Sequence, residues 1–327
     1  TREAFMKIAI FGHSGMVGSA IVRALKNDTK YNYELLGASS AEVDLCNAGD
    51  VQEWFSTFRP EVVFHVGARV GGIGENIQYP VEFLGENVLM AINVITAAAA
   101  YKVKKLIYIG SSCVYPAYCT QPMSEDMILT GPFEPTNEGY ALGKVVGMKL
   151  CEYYKREYEY NFISVLPCNL YGPNDDWSES GHVMASLIKK IIHAREHNLG
   201  EVILWGTGNP RREFLHVDDC ADACILAFKK YSGEMPLNIG SGEDLTILDL
   251  ATLIADIVGW EGKFHFNTKK PDGMQQKLLD VSRLKKLEFE PQYNLRRGIE
   301  RTVREYEIEN GISRQQIRNI KNTSTAI

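Results

Sequence analysis

The 327-residue sequence predicts an α/β fold: a doubly wound parallel sheet with a smaller, interleaved C-terminal α/β domain. Three observations predict it. Short apolar runs alternate with long helical patterns through the first half, as in parallel strands joined by crossover helices. The first apolar run passes at once into a glycine-rich turn and a helix. Two later runs lead directly into polar loops, and in such sheets ligands sit beyond the carboxyl ends of the strands.

Residues 6–11 read as a buried strand, followed by Gly12-His13-Ser14-Gly15-Met16-Val17-Gly18 and a helix with Val17, Ile21, Val22 and Leu25 on one side. Strand, glycine turn and helix lay a pyrophosphate on a helix N-terminus, because backbone N–H groups point at the anion and glycine lets the main chain approach. The spacing is GxxGxxG rather than GxGxxG. Residues 34–38 form the second strand, whose end lies near the adenosine ribose. A carboxylate there favours NAD and a basic residue NADP. The stretch from Gly37 to Leu45 has neither at the strand tip. Ser39 and Ser40 either donate to a phosphate or form an exposed turn, and Asp44 and Leu45 suit the adenine end.

Residues 61–66 are the third strand, with Pro60 at its mouth, running into a second glycine-rich turn from Gly67 to Gly74. Arg69 in that turn either reaches a phosphate or sugar or is a plain surface residue. Residues 80–102 make a long helix and 105–110 a fourth strand, which leads into Ser111-Ser112-Cys113-Val114-Tyr115-Pro116. A helix over 139–160 carries Tyr140 and Lys144. Four apart, they share one helix face. A neighbouring ammonium favours phenolate over phenol, so Lys144 is expected to lower the Tyr140 pKa from about 10. Such an acid gives a proton to a carbonyl oxygen as hydride arrives at its carbon. Residues 161–167 are a further strand, leading into Cys168-Asn169-Leu170-Tyr171. Gly12, Ser111 and Asn169 thus converge on one crevice.

The later third opens with a polar loop over 174–181. His182 starts a helix with the stripe Val183, Leu187, Ile188 and Ile191. A strand over 202–205, a basic turn with Arg211 and Arg212, and a strand–helix pair over 214–230 follow. Residues 237–240 return to the main sheet. From residue 246 on, short helices surround one strand near Phe264. The expected division is a cofactor-binding domain over 1–173, with returning segments near 213–242. A substrate domain takes 174–212 and 243–327.

With 45% hydrophobic and 23% charged residues and a net charge of -6, the chain reads as a soluble protein without a nucleic-acid or anionic-membrane surface. Its cysteines, Cys46, Cys113, Cys119, Cys151, Cys168, Cys220 and Cys224, form no C-x-x-C pair. A disulfide framework or metal site is not expected, and a reducing, cytoplasmic setting is. No apolar run looks long enough to span a bilayer, and the first residues lack a signal-peptide core.

Gly12-x-x-Gly15-x-x-Gly18, a Ser after the fourth strand and Tyr140-x-x-x-Lys144 together resemble the extended short-chain dehydrogenase/reductase family, Rossmann-like enzymes acting mostly on nucleotide sugars. The likeness covers nearly the whole chain. Within that family, segments 70–73, 110–116, 134–141, 169–173, 181–183, 205–208 and 212–219 are most similar to the GDP-L-fucose synthases. The resemblance implies conversion of GDP-4-keto-6-deoxy-D-mannose to GDP-L-fucose, by epimerisation at C3 and C5 and reduction of the C4 ketone. It implies Ser111, Cys113, Tyr140, Lys144 and His182 as catalytic residues. Cys113 and His182 would be the base and acid of the epimerisation, while Ser111, rather than Ser112, and Tyr140 would hold the C4 oxygen. It places NADP(H) along Gly12, His13, Ser14, Gly15, Met16, Val17 and Gly18, then Ser39, Ser40, Asp44 and Leu45. The nicotinamide end lies along Ile109, Gly110, Ser111, Ser112, Tyr140, Lys144, Pro167, Cys168, Asn169, Leu170 and His182. The GDP-sugar falls to Asn169, Lys190, Trp205, Arg212, Asp272 and Lys277. A homodimer through a four-helix interface of 81–102 and 139–160 is also implied.

One departure matters. Some members carry Arg at the place of Ser14 and another basic residue after the second strand. The expectation is therefore NADPH with weak discrimination, NAD(H) also being usable. The competing readings are another NAD(P)-dependent nucleotide-sugar 4-epimerase, a dehydratase, or a non-catalytic NADP-sensing protein. Dehydratases of this group usually carry an acidic pair where Ser112-Cys113 stands.

Overall fold

In the computed structural model, which describes residues 5–178 and 181–312, the chain begins with strand β1 (Met6–Phe11) and helix α1 (Met16–Asn27). There follow β2 (Tyr33–Ala38), α2 (Ala48–Phe58), β3 (Val62–His65), α3 (Ile73–Gln78), α4 (Pro80–Ala100) and β4 (Lys105–Ile109). Next come α5 (Glu138–Tyr158), β5 (Phe162–Pro167), β6 (Asn169–Tyr171), α6 (Val183–Glu196), β7 (Glu201–Trp205) and β8 (Arg211–His216). The chain continues with α7 (Val217–Lys230), β9 (Leu237–Ile239), β10 (Asp244–Thr246), α8 (Ile247–Val258) and β11 (Lys263–Asn267). It ends in β12 (Gln276–Lys277), α9 (Ser282–Lys285) and α10 (Leu295–Glu309).

The main sheet has six parallel strands in the order β2-β1-β3-β4-β5-β9. This is the doubly wound class the sequence predicts. Strands β3, β4 and β5 are buried along their length, as strands covered on both faces by helices must be. The chain leaves β1 toward β2 on one side and β3 on the other. That reversal opens a crevice at the strands' carboxyl ends.

Helix α2 is absent from the sequence reading. The Asn47 side chain caps it, accepting from Gly49 N at 2.8 Å, and it buries Val51, Trp54 and Phe55, an i, i+3, i+4 triplet. Both signals are local. Helix α4 also corrects an expectation. Its 21 residues are long and apolar enough to cross a membrane by length and composition. Here it packs against α5. Its Asn87 Nδ2 donates to Arg69 O at 3.0 Å and its Asn93 Nδ2 to Leu45 O at 2.9 Å, so two cofactor-side loops hang on it.

The second layer is smaller. Strand β8 pairs with β10, β12 and β6, and β11 with β7. Of residues 213–242, therefore, β9 lies in the large sheet and β8 in the small one. Arg211 and Arg212, expected in a turn, lie on β8 opposite Thr246 and Leu245; pairing on both edges extends the strand through them. The helices after residue 246 are longer than expected: α8 has 12 residues and α10 15. Leu187, Ile188 and Ile191 of α6, Leu250 and Ile254 of α8, and Ile299 and Val303 of α10 share one core. Burial of these apolar stripes holds the second layer beside the crevice.

Candidate active site

A cleft of about 1180 Å³ runs between the two layers. Gly12 ends β1 at φ 84. A Cβ there would sit 2.8 Å from Gly67 N, and one on Gly18 only 2.0 Å from Gly12 O. The turn is thus glycine-built for close approach. Gly15 is the N-cap of α1 and carries no side-chain cap, so the first-turn N–H groups of α1 keep free donors at the cleft wall. This cradle fits the pyrophosphate of a dinucleotide.

Gly12, Gly15, Met16, Val17 and Gly18 line the cleft, with Ile109, Gly110, Ser111, Ser112, Pro167, Cys168, Asn169 and Leu170. His13, Ser14, Ser39, Ser40, Asp44 and Leu45 lie outside that lining. The His13 ring crowds Gly37, where a Cβ would come within 2.7 Å of it. Leu45 packs over Gly67. Ser14 and Ser40 are exposed. At the tip of β2, Ser39 N and Oγ both donate to Glu42 Oε2, at 2.8 and 2.9 Å. These hydrogen bonds hold the Glu42 carboxyl below its ordinary pKa. A carboxylate therefore occupies the donors that a 2′-phosphate would need. Asp44 accepts from Cys46 N at 2.9 Å. Arg69 pairs with Glu86 at 2.9 Å, the surface alternative.

At the end of β4 the backbone turns sharply. Ser111, extended at φ -160, accepts from Cys113 N at 3.1 Å through Oγ. Ser112 is buried. The Cys113 sulfur accepts from Asn137 Nδ2 at 3.4 Å and Lys277 Nζ at 3.3 Å. Burial alone would raise this thiol; the Lys277 ammonium and the Ser111 side chain bring it below the usual thiol value instead.

Tyr140 and Lys144 share a face of α5, with Lys144 Nζ 5.8 Å from the Tyr140 ring centre. The expected lowering of the Tyr140 pKa by Lys144 is not found. Burial, and then the charge of Cys113, push the phenol up, against a hydrogen bond from Ser111. The reason lies in Lys144 itself. It is 3% exposed, its Nζ donates to Ile109 O at 2.8 Å, and burial lowers its pKa to about 7. An ammonium so easily neutralised cannot hold a phenolate.

His182 is the N-cap of α6 but makes no capping hydrogen bond, which leaves the imidazole facing the cleft. Protein mass around it lowers its pKa; Asp176 pulls upward and Lys277 downward. The expectation of a group poised near pH 7 is shifted accordingly, toward neutral imidazole in the ligand-free protein.

Lys190, Trp205, Arg212, Asp272 and Lys277 also line the cleft. Lys190 Nζ lies 5.8 Å and Lys270 Nζ 4.7 Å from the Trp205 ring centre, a cation–π pair at the mouth. Arg212 Nη2 donates to Asp272 O at 3.3 Å. The Asp272 carboxylate itself accepts from Thr207 N and Oγ1, at 2.7 and 2.9 Å, and so pins the turn. Asn169 Nδ2 donates to Glu213 O at 2.8 Å.

The sequence reading missed Asn137, Glu134 and Thr136, which line the cleft beside Tyr140, and Lys270. Asn137 lies three residues before Tyr140 at the start of α5. The Pro135-Thr136-Asn137 helix-start pattern was the available signal.

The model of the NAD dependent epimerase/dehydratase family matches residues 8–240. The chain is 44% identical over 315 residues to "Putative GDP-L-fucose synthase 2" of Arabidopsis thaliana, covering 96% of this chain and 95% of that protein. It is 42% identical over 306 residues to the GDP-L-fucose synthase of Escherichia coli K12, covering 90% and 95%. A GDP-L-fucose synthetase from Naegleria fowleri, solved bound to NADP, superposes with a TM-score of 0.86 at 28% identity, covering 95% of this chain and 96% of that one.

Proposed function

The chain belongs to the NAD dependent epimerase/dehydratase family, and from that premise we propose that it converts GDP-4-keto-6-deoxy-D-mannose to GDP-L-fucose. It epimerises C3 and C5 and then reduces the C4 ketone with NADPH. The observation that carries this reading is the company of Cys113. A thiol held by Lys277 and Asn137 lies in one cleft with Ser111, Tyr140 and His182. A plain reductase needs a proton donor at the ketone. An epimerase also needs a base on one face of the carbon and an acid on the other.

Both C3 and C5 flank the C4 ketone, so their protons become acidic when the enolate oxygen is stabilised. Ser111 and Tyr140 provide hydrogen bonds to that oxygen. Cys113 takes the proton and His182 returns one from the opposite face. In the ligand-free protein His182 is held neutral, but the negative diphosphate of the substrate favours imidazolium and so loads the acid as substrate binds. Bound NADPH supplies the hydride for C4. Tyr140 then protonates the same oxygen, and Lys144 holds the nicotinamide ribose. Trp205, Lys190 and Arg212 receive the guanine and diphosphate, Arg212 offering a fork to phosphate oxygens. Asp272 acts through the turn it pins. The dehydratase and silent-sensor readings lack a supporting observation, since Ser112-Cys113 replaces the acidic pair and Ser111, Tyr140 and Lys144 are all present. Of the described residues, 5–173 with the returning stretch over 217–242 carry the cofactor, and 174–178, 181–216 and 243–312 carry the sugar nucleotide; the expected division also takes in 313–327, which lie outside the described residues.

The assay is direct: NADPH absorbance falls when GDP-4-keto-6-deoxy-mannose is added and stays unchanged with UDP- or dTDP-4-keto sugars. No consumption with any of them removes the reductase claim. Cofactor choice has its own test. With Glu42 on the Ser39 donors and Ser14 in place of a cation, the dissociation constants of NADPH and NADH by fluorescence titration should agree within about tenfold. Ser14→Arg should widen the gap in favour of NADPH by roughly tenfold or more, because a guanidinium grips a phosphate through two charge-assisted hydrogen bonds. A strict requirement for NADH, or a wild-type preference for NADPH above a thousandfold, contradicts this reading.

The α4–α5 face leaves Val81, Leu89, Ile92, Leu142 and Tyr153 exposed. It is the surface on which we place a homodimer. A single monomeric species in sedimentation velocity at micromolar concentration would exclude it. Seven free cysteines suit a reducing, cytoplasmic setting.

A further inference from the structure

Lys277 is 9% exposed and makes no salt bridge among the described residues. Its Nζ donates to the Cys113 sulfur at 3.3 Å. A buried ammonium is costly unless a counter-charge meets it, and the Cys113 sulfur is the group in contact. The placement is built into the fold. Strand β12 pairs with β8, setting Lys277 opposite Arg212. Just beyond it, Leu278 N donates to Gln121 Oε1 and Leu279 N to the buried Glu213 Oε2, both at 2.9 Å. The backbone on the C-terminal side of Lys277 is therefore anchored before any ligand arrives.

We propose that Lys277 is a positioning residue for the epimerisation, its ammonium holding Cys113 as the thiolate base in the free enzyme, beyond any contact it makes with substrate phosphate. This rests on the reaction given under Proposed function. In each enolisation the carbon–hydrogen bond at C3 or C5 breaks and an S–H bond forms. The electron pair moves onto the C4 oxygen, where Ser111 and Tyr140 hydrogen-bond it, and as the ketone re-forms the proton inverting the carbon comes from His182; before the second round Cys113 gives its proton to solvent and His182 takes one up. A thiol already protonated cannot begin this sequence.

The charged and titratable groups around Cys113 come from several elements. Lys277 stands on β12 and Arg212 on β8; Tyr140 and Lys144 stand on α5; Glu134 precedes α5, and its charge opposes the thiolate. His182 at the start of α6 also feels Lys277. Among these, the cation in hydrogen-bond contact with the sulfur is Lys277.

The test needs no substrate. Alkylation of Cys113 by iodoacetamide is followed by peptide-resolved mass spectrometry across pH 5.5–9.5, in intact wild-type, Lys277→Met and Lys277→Arg proteins. An opposite charge within about 4–6 Å is worth one to three pKa units. The Met variant should therefore alkylate roughly tenfold or more slowly at neutral pH, with its inflection moved upward, and the Arg variant should restore the wild-type profile. Circular dichroism checks the fold; should Lys277→Met unfold, Lys277→Gln takes its place. An alkylation profile unchanged in Lys277→Met would overturn the proposal and leave Lys277 without a hold on the thiol. Because alkylation is read without GDP-sugar or NADPH, its result stands apart from that of the assay of the overall reaction.

Discussion

Cys113→Ser stops solvent-deuterium uptake at C3 and C5 of the 4-keto sugar, lowering it by about 10²-fold or more, the scale of a lost general base. The serine keeps the place of the sulfur and its contacts with Asn137 and Lys277, so the fold and NADPH binding are retained. What changes is the base. An alcohol beside one ammonium stays protonated at neutral pH, whereas the Lys277 ammonium draws the Cys113 thiol below its usual value and so favours the thiolate. The C4 ketone remains reducible, and the variant is expected to consume NADPH slowly and yield a sugar with C3 and C5 uninverted. Proton and mass spectra of substrate recovered from heavy water read the result. Normal labelling at both carbons removes Cys113 from the mechanism.

Tyr140→Phe has a second large effect and a distinct signature. In the proposed mechanism the phenol donates to the C4 oxygen during both enolisations and protonates it during reduction, so its loss should slow all three. Removal of one such donor costs about 10²–10³-fold in rate. Deuterium uptake and NADPH oxidation should therefore fall together, while the NADPH dissociation constant moves little, since the glycine turn and Lys144 remain. Loss of reduction with normal deuterium uptake would confine Tyr140 to the last step. The direction of its pKa adds a pH expectation. Burial keeps the phenol protonated, so it is a donor throughout the neutral range. The rise of epimerisation with pH should then follow the Cys113 thiol, which must lose its proton to act.

Much of this site was legible one residue at a time. Gly12 and Gly18 announce a close-approach turn because no side chain tolerates their contacts, whereas a Cβ on Gly15 would lie an ordinary 3.6 Å from Gly12 O. Ser111 and Asn169 follow strands whose apolar runs are unambiguous, and a parallel sheet puts the ends of such strands together. Less legible were features depending on distant partners. Arg211 and Arg212 read as a turn because the pairing that extends β8 comes from β10 and β12, residues far along the chain. Helix α2 was overlooked although its cap and apolar triplet were local.

Sequence alone determined the α/β class and the glycine turn, because each follows from periodicity or glycine spacing, while the roles expected of Cys113 and His182 came from resemblance. Tertiary structure decided the electrostatics. Four residues apart on a helix, Tyr140 and Lys144 promise an acidified phenol; buried together, they give a phenol pushed up and a lysine near neutrality. Lys277, 164 residues from Cys113, supplies the charge that acts on the thiol. Charge effects depend on distance and burial, and neither is written in the spacing of residues along the chain.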